Sequence, residues 1–180
     1  MRKIVAQLFV SVDGVMEAPE EWHFPYYNEQ MGEAFAKLLA QADTMLLGRA
    51  TYEIFADSWP HRGSDVPFAD QLNTMPKLVA STTLAEVRWQ NSTLIRGNVA
   101  DELTKRKQQA GKNMAISGSP TLVRSLLRDG VLDELQLLVH PVVLGSGRRL
   151  FEDEKAATPL QLADSITFST GVVSLTYQPA

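Results

Sequence analysis

The segment LLGRATYE, residues 46–53, decides the fold class of this chain. It passes from a short apolar run, residues 44–47, through Gly48 into a helical pattern that is predicted to begin near Thr51. A glycine at such a strand-to-helix junction lets an anion approach the backbone, while Arg49 adds a guanidinium and Thr51 a hydroxyl. The segment therefore predicts one β–α unit of an α/β sheet with a phosphate-compatible turn at the end of its strand.

Apolar runs and helical patterns alternate on both sides of this segment. Strands are predicted at residues 4–12, 44–47, 77–81, 93–96, 113–117 and 135–144, and helices from Asn28, near Thr51, after Gly97-Asn98 and from Ser119-Pro120. The last twenty residues alternate around a turn near Gly171, which is typical of a terminal hairpin. The pattern predicts an α/β fold with a central, mostly parallel sheet of about eight strands, an antiparallel C-terminal hairpin and helices on both faces. Residues 1–180 are predicted to form a single domain.

Composition excludes several classes of function. The 180 residues carry 17 Lys and Arg against 21 Asp and Glu, a formal net charge of −4, so nucleic acid is not an expected partner. The absence of cysteine excludes disulfides, thiolate nucleophiles and Cys-ligated zinc, and the three histidines lack metal-binding spacing, so no metal is expected. No apolar stretch reaches the roughly 18 residues of a membrane span. The chain is therefore predicted to be soluble and cytoplasmic, with no membrane partner.

A second strand-to-helix junction carries similar anion-binding chemistry. Gly118 and Ser119 place backbone amides and a hydroxyl at a helix start, where Ser119 is predicted to cap the helix and Pro120 to occupy its first position. Each junction alone is more often an ordinary capped turn. Two of them in one sheet suggest a dinucleotide ligand, although the G-x-G-x-x-G fingerprint is absent.

Asp13 and Trp22 are the candidates for contact with a substrate. Asp13 ends the first strand beside an aromatic-rich loop, where a carboxyl group could donate a proton or bind the substrate. The alternative is an ordinary Asp-Gly turn formed with Gly14. Trp22 could stack on a flat ring or belong to the core.

Six segments of the chain, taken in order, carry a resemblance to a known superfamily. They are SVDG (11–14), LGRATYE (47–53), KLVAST (77–82), GSPTLV (118–123), VLDEL (131–135) and HPVVLGSG (140–147). Together they resemble the dihydrofolate-reductase-like superfamily. The stretch from residue 118 to residue 147 is most similar to the C-terminal reductase domain of the bifunctional riboflavin-biosynthesis deaminase-reductase. The match spans Ser11 to Phe151.

The resemblance implies an eight-stranded sheet that binds NADPH along its strand ends. The turns after the second strand and before the later helix would hold the phosphates of the cofactor. The residues after the third strand would approach the adenosine 2′-phosphate. The cofactor-binding residues implied in this way are Gly48, Arg49, Thr51, Ser81, Thr82, Gly118 and Ser119.

The sequence differs from its relatives in two ways that narrow the range of expected activities. Folate-reducing members carry an acidic residue two positions after the proline of a W-x-x-P segment, whereas here Pro25 is followed by Tyr26 and Tyr27. That disfavours folate reduction. The zinc deaminase half of the riboflavin enzyme is also missing, as the lack of cysteine requires.

The predicted function is an NADPH-dependent reductase that transfers hydride to a small heterocyclic or ribosylated substrate. The nearest named substrate is 5-amino-6-(5-phosphoribosylamino)uracil, with Asp13 as the predicted proton donor and Trp22 as a wall of the substrate pocket. The alternatives are a pterin- or dihydrofolate-type reductase and a non-catalytic NADP-binding protein. The sequence leaves open whether Arg148 and Arg149 contact a ligand.

A homodimer is also expected. The run of residues 135–144 is more apolar than one small sheet needs, and the riboflavin-type relatives that the chain resembles are commonly dimers. The expected interface uses the late strands and the loop of residues 145–151.

Overall fold

A mixed sheet of eight strands organises the molecule, which the computed structural model describes over residues 1–152 and 157–180. The strands are β1 (Ile4–Ser11), β2 (Ala42–Gly48), β3 (Lys77–Ala80), β4 (Ser92–Ile95), β5 (Asn113–Ser117), β6 (Glu134–His140), β7 (Leu160–Thr167) and β8 (Val173–Pro179). They lie in the order β4-β3-β2-β5-β1-β6-β8-β7. The first six strands pair in parallel, and β8 pairs antiparallel with β6 and β7. The predicted sheet and its C-terminal hairpin are confirmed.

The helices connect the parallel strands. They are α1 (Pro19–Trp22), α2 (Glu29–Ala40), α3 (Arg49–Ser58), α4 (Ala69–Thr74), α5 (Val99–Lys107) and α6 (Pro120–Arg128), with 3₁₀ turns at Phe24–Tyr26 and Trp59–His61. Asn28 and Asn98 cap α2 and α5, because their side-chain oxygens accept from the backbone amides of Met31 (3.0 Å) and Asp101 (3.2 Å). The short helices α1 and α4 were not expected from the sequence.

Helices cover both faces of the sheet, as the sequence predicts. On one face, α5 and α6 pack against Ile4, Ala6 and Leu8 of β1. On the other face, α2, α3 and α4 pack on a cluster that includes Val5. Successive residues of β1 thus enter different cores, since side chains alternate across a strand. Both ends of the strand are buried, and its side chains contribute to the cores on both faces of the sheet.

The apolar run at residues 135–144 differs from its prediction. The strand ends at His140, where the backbone N–H of Val142 donates to the carbonyl of His140 in a turn (2.8 Å). Leu137 and Val139 are only half-buried, so the strand is shorter and less buried than its apolar run indicates. The physical reason is position: β6 adjoins the terminal hairpin, whose outer strand β7 leaves Leu162 half exposed.

Lys77 holds the start of β3 in place. Its side chain is fully buried, and its ammonium donates to the carbonyl oxygens of Asn73, Met75 and Gln90 at 2.8–3.1 Å. It also lies 4.0 Å from the ring centroid of Trp89. Burial lowers the pKa of Lys77 to about 8. These contacts fix the strand whose far end supplies Ser81 and Thr82.

Among the described residues, no helix combines the length and the apolar character that crossing a bilayer requires. The same residues contain no cluster of three or more His, Asp or Glu side chains suited to holding a metal ion.

Candidate functional site

The turns at the ends of β2 and β5 are joined by two hydrogen bonds. The backbone N–H of Gly48 donates to Oγ of Ser119 (2.9 Å), and the backbone N–H of Ser119 donates to Oγ1 of Thr51 (2.9 Å). Gly118 sits between them with φ +74°, and a Cβ at this position would lie 3.2 Å from Cγ2 of Thr51. A side chain is therefore strained here both by conformation and by space. The two predicted phosphate-compatible turns form one unit.

Ser119 acts differently from its prediction as a helix cap. Its backbone is left-handed, with φ 61°, and its side chain makes no capping hydrogen bond to α6. The reason is that its hydroxyl already accepts from Gly48, 71 residues away in sequence. Pro120 still begins the helix, as predicted. Ser119 thus ties two strand ends together instead of capping its own helix.

A cavity of about 460 Å³ opens at the carboxyl ends of β2, β3 and β5. Its volume lies in the range of small-molecule sites. Six of the seven residues predicted to bind a cofactor line it, namely Gly48, Arg49, Thr51, Ser81, Thr82 and Ser119. Gly118, the seventh, lies directly beside Thr51. The structure therefore brings the predicted set together, and its binding role stays a prediction.

Arg49 bridges the ends of β2 and β3. Its Nε lies 3.2 Å from Oε1 of Glu53, and its Nη1 donates to Oγ1 of Thr83 (2.7 Å). Oγ of Ser81 in turn accepts from the backbone N–H of Thr83 (3.2 Å). The Arg49 side chain is still 52% exposed, so part of its guanidinium faces the cavity. The arrangement presents a positive charge beside a row of hydroxyls.

Sequence reasoning did not assign several residues that line the same cavity. Glu53, Thr83, Thr121 and Ser125 were not singled out, and the role of Arg148 was left open. The i, i+4 spacing of Arg49 and Glu53 would have suggested their pairing. No local signal marks Arg148, because its place depends on how a distant loop lies against the end of β1.

The Asp13 carboxylate accepts three hydrogen bonds. Its oxygens accept from the hydroxyl of Ser11 (2.6 Å) and from the backbone N–H groups of Leu144 (3.1 Å) and Gly145 (2.8 Å). Arg149 Nη2 lies 3.8 Å away. Asp13 therefore does more than close an Asp-Gly turn, since it ties the end of β1 to the loop after β6.

These contacts argue against the predicted role of Asp13 as a proton donor. The Ser11 hydroxyl, followed by the amides of Gly145 and Leu144, lowers the pKa of Asp13 to about 2. A carboxyl group with that pKa is ionised at neutral pH and carries no proton to give. All three donors stabilise the charged form and anchor the side chain, and a catalytic role for Asp13 stays a prediction.

Aromatic side chains surround the ends of β1 and β6. This aromatic cluster consists of Phe9, Trp22, His23, Phe24, Tyr26 and His140. The half-buried Trp22 meets His140 edge to face with centroids 5.1 Å apart, and its Nε1 donates to the carbonyl of Glu17 (2.8 Å). His23 stacks on Phe9 at 4.8 Å. Trp22 thus stands in a wall of flat rings, and its contact with a substrate stays a prediction.

Two buried imidazole nitrogens interrupt this apolar surface. Nδ1 of His140 donates to the carbonyl of Leu138 (2.9 Å), since a carbonyl oxygen can only accept. Nε2 of His140 and Nδ1 of His23 have no hydrogen-bond partner within residues 1–152 and 157–180. Burial lowers the pKa of both histidines below the usual 6.5, so both rings are neutral at pH 7.

Comparison with known proteins assigns the family. The model of the family described as "RibD C-terminal domain" matches residues 2–174. This chain belongs to the RibD C-terminal domain family. The uncharacterized protein YyaP of Bacillus subtilis (strain 168) is 33% identical over 181 residues, covering 98% of this chain and 94% of YyaP. The resemblance predicted from the sequence segments is confirmed.

Solved structures confirm the dihydrofolate-reductase-like fold of this RibD-family chain. A protein of Shewanella sp. PV-4, whose name assigns it provisionally to riboflavin biosynthesis, superposes with TM-score 0.81 at 20% identity, covering 100% of this chain and 99% of its own. Dihydrofolate reductase of Enterococcus faecalis, in complex with NADP(H), superposes with TM-score 0.66 at 15% identity, with coverage of 98% and 96%. At 15–20% identity, these two neighbours show the fold of the chain.

Proposed function

We propose that this protein is an NADPH-dependent reductase that transfers hydride to a small heterocyclic or ribosylated substrate, with 5-amino-6-(5-phosphoribosylamino)uracil the nearest named candidate. One observation carries the proposal: six residues predicted to bind a cofactor line a single cavity at the strand ends of a RibD-family sheet. Ligands of open α/β sheets bind at the carboxyl edge of their strands.

The residues of the cavity fit a phosphorylated dinucleotide. Arg49 and Arg148 supply positive charge, and the hydroxyls of Ser81, Thr82 and Thr83 supply donors beside Arg49. A guanidinium with neighbouring hydroxyls suits a phosphate dianion such as the adenosine 2′-phosphate. The absence of a side chain at Gly118 keeps the turn beside Thr51 open. Bound NADPH would supply the hydride.

The aromatic cluster suits a flat substrate ring. Trp22 would form one wall, and the neutral imidazoles of His23 and His140 place hydrogen-bonding atoms behind it. A pterin or dihydrofolate substrate has less support, because the position of the usual carboxylate is held by Tyr27, which is half exposed. The proposal therefore favours a pyrimidine-type ring over a pterin.

The test is binding followed by turnover. NADPH and NADH are titrated by nicotinamide fluorescence at fixed salt, and NADPH oxidation is then followed with 5-amino-6-(5-phosphoribosylamino)uracil and with dihydrofolate. We expect NADPH to bind more tightly than NADH and only the pyrimidine to be reduced. Binding without turnover on either would favour the non-catalytic NADP-binding alternative. Failure to bind NADPH would overturn the proposal.

We also propose that the protein is a two-fold homodimer built on its late strands and the loop of residues 145–151. Leu162 and Ile166 are each 50% exposed on β7, and burying such apolar area favours association. Light scattering at micromolar concentration should return about twice the 19.9 kDa of one chain. A single-chain mass would refute this proposal.

A further inference from the structure

The loop of residues 144–149, here called the arm loop, is fastened to residues 12–17 after β1. The backbone N–H of Met16 donates to the carbonyl of Arg148 (2.9 Å), so the two segments run side by side. An isolated antiparallel bridge adds a further pairing between the segments. The arm loop is therefore positioned by β1 as well as by β6.

Two carboxylates reinforce this attachment. Asp13 accepts from the backbone N–H groups of Leu144 and Gly145, as described above, and Oε2 of Glu17 accepts from the backbone N–H of Arg148 (2.9 Å). Hydrogen bonds from amides to ionised acceptors are stronger than those between neutral groups. Both ends of the arm loop are thus held by negative charge.

Close packing also fixes the arm loop. Gly147 has φ +106°, and a Cβ there would lie 2.8 Å from Cγ1 of Val15. That distance is shorter than any relaxed contact between carbons, so the loop can lie this close only with glycine. The geometry leaves little freedom for the residue that follows.

Arg148 itself lines the cavity that contains Arg49. The strand order β3-β2-β5-β1-β6 places the two arginines on opposite sides of the end of β5, because Arg49 follows β2 and Arg148 comes from the loop after β6. No carboxylate of the described residues makes an ion pair with Arg148, whereas the neighbouring Arg149 faces Asp13 at 3.8 Å. Within residues 1–152 and 157–180, no ion pair competes with a ligand for the Arg148 guanidinium.

We infer that Arg148 is a second phosphate-binding cation, presented to the cavity by the arm loop, and that Asp13 and Glu17 are positioning residues that act through it. The inference rests on the proposed function, since it takes the ligand to be a phosphorylated dinucleotide such as NADPH. It assigns to Asp13 an effect on ligand affinity instead of a proton-transfer step. A ligand lying along the strand ends then meets a guanidinium on either side of α6.

The experiment measures affinity by calorimetry, with NADPH and inorganic pyrophosphate as probes. Wild type is compared with Arg148→Ala, Arg148→Lys, Asp13→Asn and the double variant Asp13→Asn/Arg148→Ala. Arg128→Ala is the matched control, because Arg128 is 68% exposed on α6 and does not line the cavity. Circular dichroism checks that each variant is folded.

Arg148→Ala should weaken NADPH binding about tenfold to a hundredfold, with partial recovery in Arg148→Lys, since one charge-assisted contact is lost. Asp13→Asn should weaken it about threefold to tenfold in the wild-type background and not at all once Arg148 is alanine. That non-additivity is the mark of a residue acting through another. Arg128→Ala should bind as wild type does.

The outcomes separate the inference from the proposed function. Unchanged NADPH affinity in Arg148→Ala overturns the inference and leaves the reductase proposal standing. Equal losses from Asp13→Asn in both backgrounds overturn the positioning role. If wild type binds pyrophosphate through Arg148 but does not bind NADPH, the proposed function fails and the cation assignment stands. Binding of neither probe overturns both.

Discussion

The ends of β2, β3 and β5 differ in chemistry from the ends of β1 and β6, although both groups lie along one edge of the sheet. At the first, glycines, hydroxyls and an arginine form a connected polar frame. Within it, hydrogen bonds of Ser119 with Gly48 and Thr51 join the turn after β2 to the turn after β5. At the second, aromatic rings pack together, and one imidazole nitrogen each of His23 and His140 lacks a described partner.

The difference in chemistry suggests that the two regions have different tasks, cofactor binding at the first and substrate selection at the second. A polar frame with fixed charges suits one constant ligand such as a cofactor. The hydrogen-bond donors of the frame are already in place and need no rearrangement on binding. A wall of aromatic rings recognises a ligand chiefly by its flat shape. We therefore expect changes at the first region to alter cofactor affinity and changes at the second to alter substrate use.

The largest expected effect lies in the polar frame. Arg49→Ala should weaken NADPH binding about tenfold to a hundredfold, since a charge-assisted contact is worth roughly 1.5–3 kcal/mol. NADH lacks the 2′-phosphate and should lose less. Fluorescence titration with both cofactors measures this, and Arg88→Ala, which removes an arginine that is 87% exposed, is the control. Equal losses of affinity for the two cofactors would indicate that Arg49 contacts the phosphates that both share and not the 2′-phosphate.

A smaller effect is expected in the aromatic cluster. Trp22→Ala removes the ring that meets His140 edge to face and should lower kcat/KM for the substrate about tenfold, since aromatic pairs contribute about 0.5–1.5 kcal/mol beyond their buried area. NADPH affinity should stay within about twofold of wild type. Trp22→Phe keeps a ring and should recover most of the activity. A matching loss of NADPH affinity would show that the two regions are not separable.

Acid should lower the unfolding free energy of the protein through the two buried histidines of the aromatic cluster. In the unfolded chain His23 and His140 titrate near 6.5, whereas burial lowers their pKa in the folded protein. The unfolded state then binds more protons below that pH, so the stability from neutral burial is present above about 6.5 and is lost as pH falls. Urea unfolding at several pH values measures the slope.

His140→Gln should flatten that dependence of unfolding free energy on pH. The exposed His61 provides the matched control, His61→Gln. A slope in His140→Gln equal to that of wild type would place the acid sensitivity elsewhere in the protein.

The smallest expected effect sharpens the description of the polar frame. Glu53→Gln frees Arg49 from an exposed i, i+4 ion pair and removes a negative charge from the cavity. Such pairs contribute about 0.3–0.5 kcal/mol, so NADPH should bind about twofold more tightly. The same titration as for Arg49→Ala measures it. Weaker binding would mean that Glu53 positions Arg49 instead of competing for it.

Sequence was sufficient for the parts of the site that depend on neighbouring residues. The junctions at Gly48 and Gly118 are visible because a strand, a glycine and a helix start follow one another within a few positions. Parallel pairing then brings such junctions to one edge without further information. The predicted cofactor residues meet in one cavity for that reason.

The rest depended on contacts that local patterns do not encode. Asp13 accepts from amides 131 and 132 residues away, so its own surroundings show only a turn. The hydroxyl of Ser119 accepts a hydrogen bond from Gly48, 71 residues away in sequence. For that reason it does not cap α6, although serine is a common capping residue. Arg148 enters the cavity only because the arm loop is fastened to the end of β1.

The central place of β1 has a consequence for how the chain is made. Its parallel partners begin at Asn113 and Glu134, so this apolar strand leaves the ribosome long before either exists. At the usual rate of synthesis the interval is on the order of ten seconds. During that time residues 4–11 present unpaired amides and apolar side chains to the solvent. Strand β1 therefore precedes both of its neighbours in synthesis, and its edges stay open to wrong pairing until β5 and β6 have emerged.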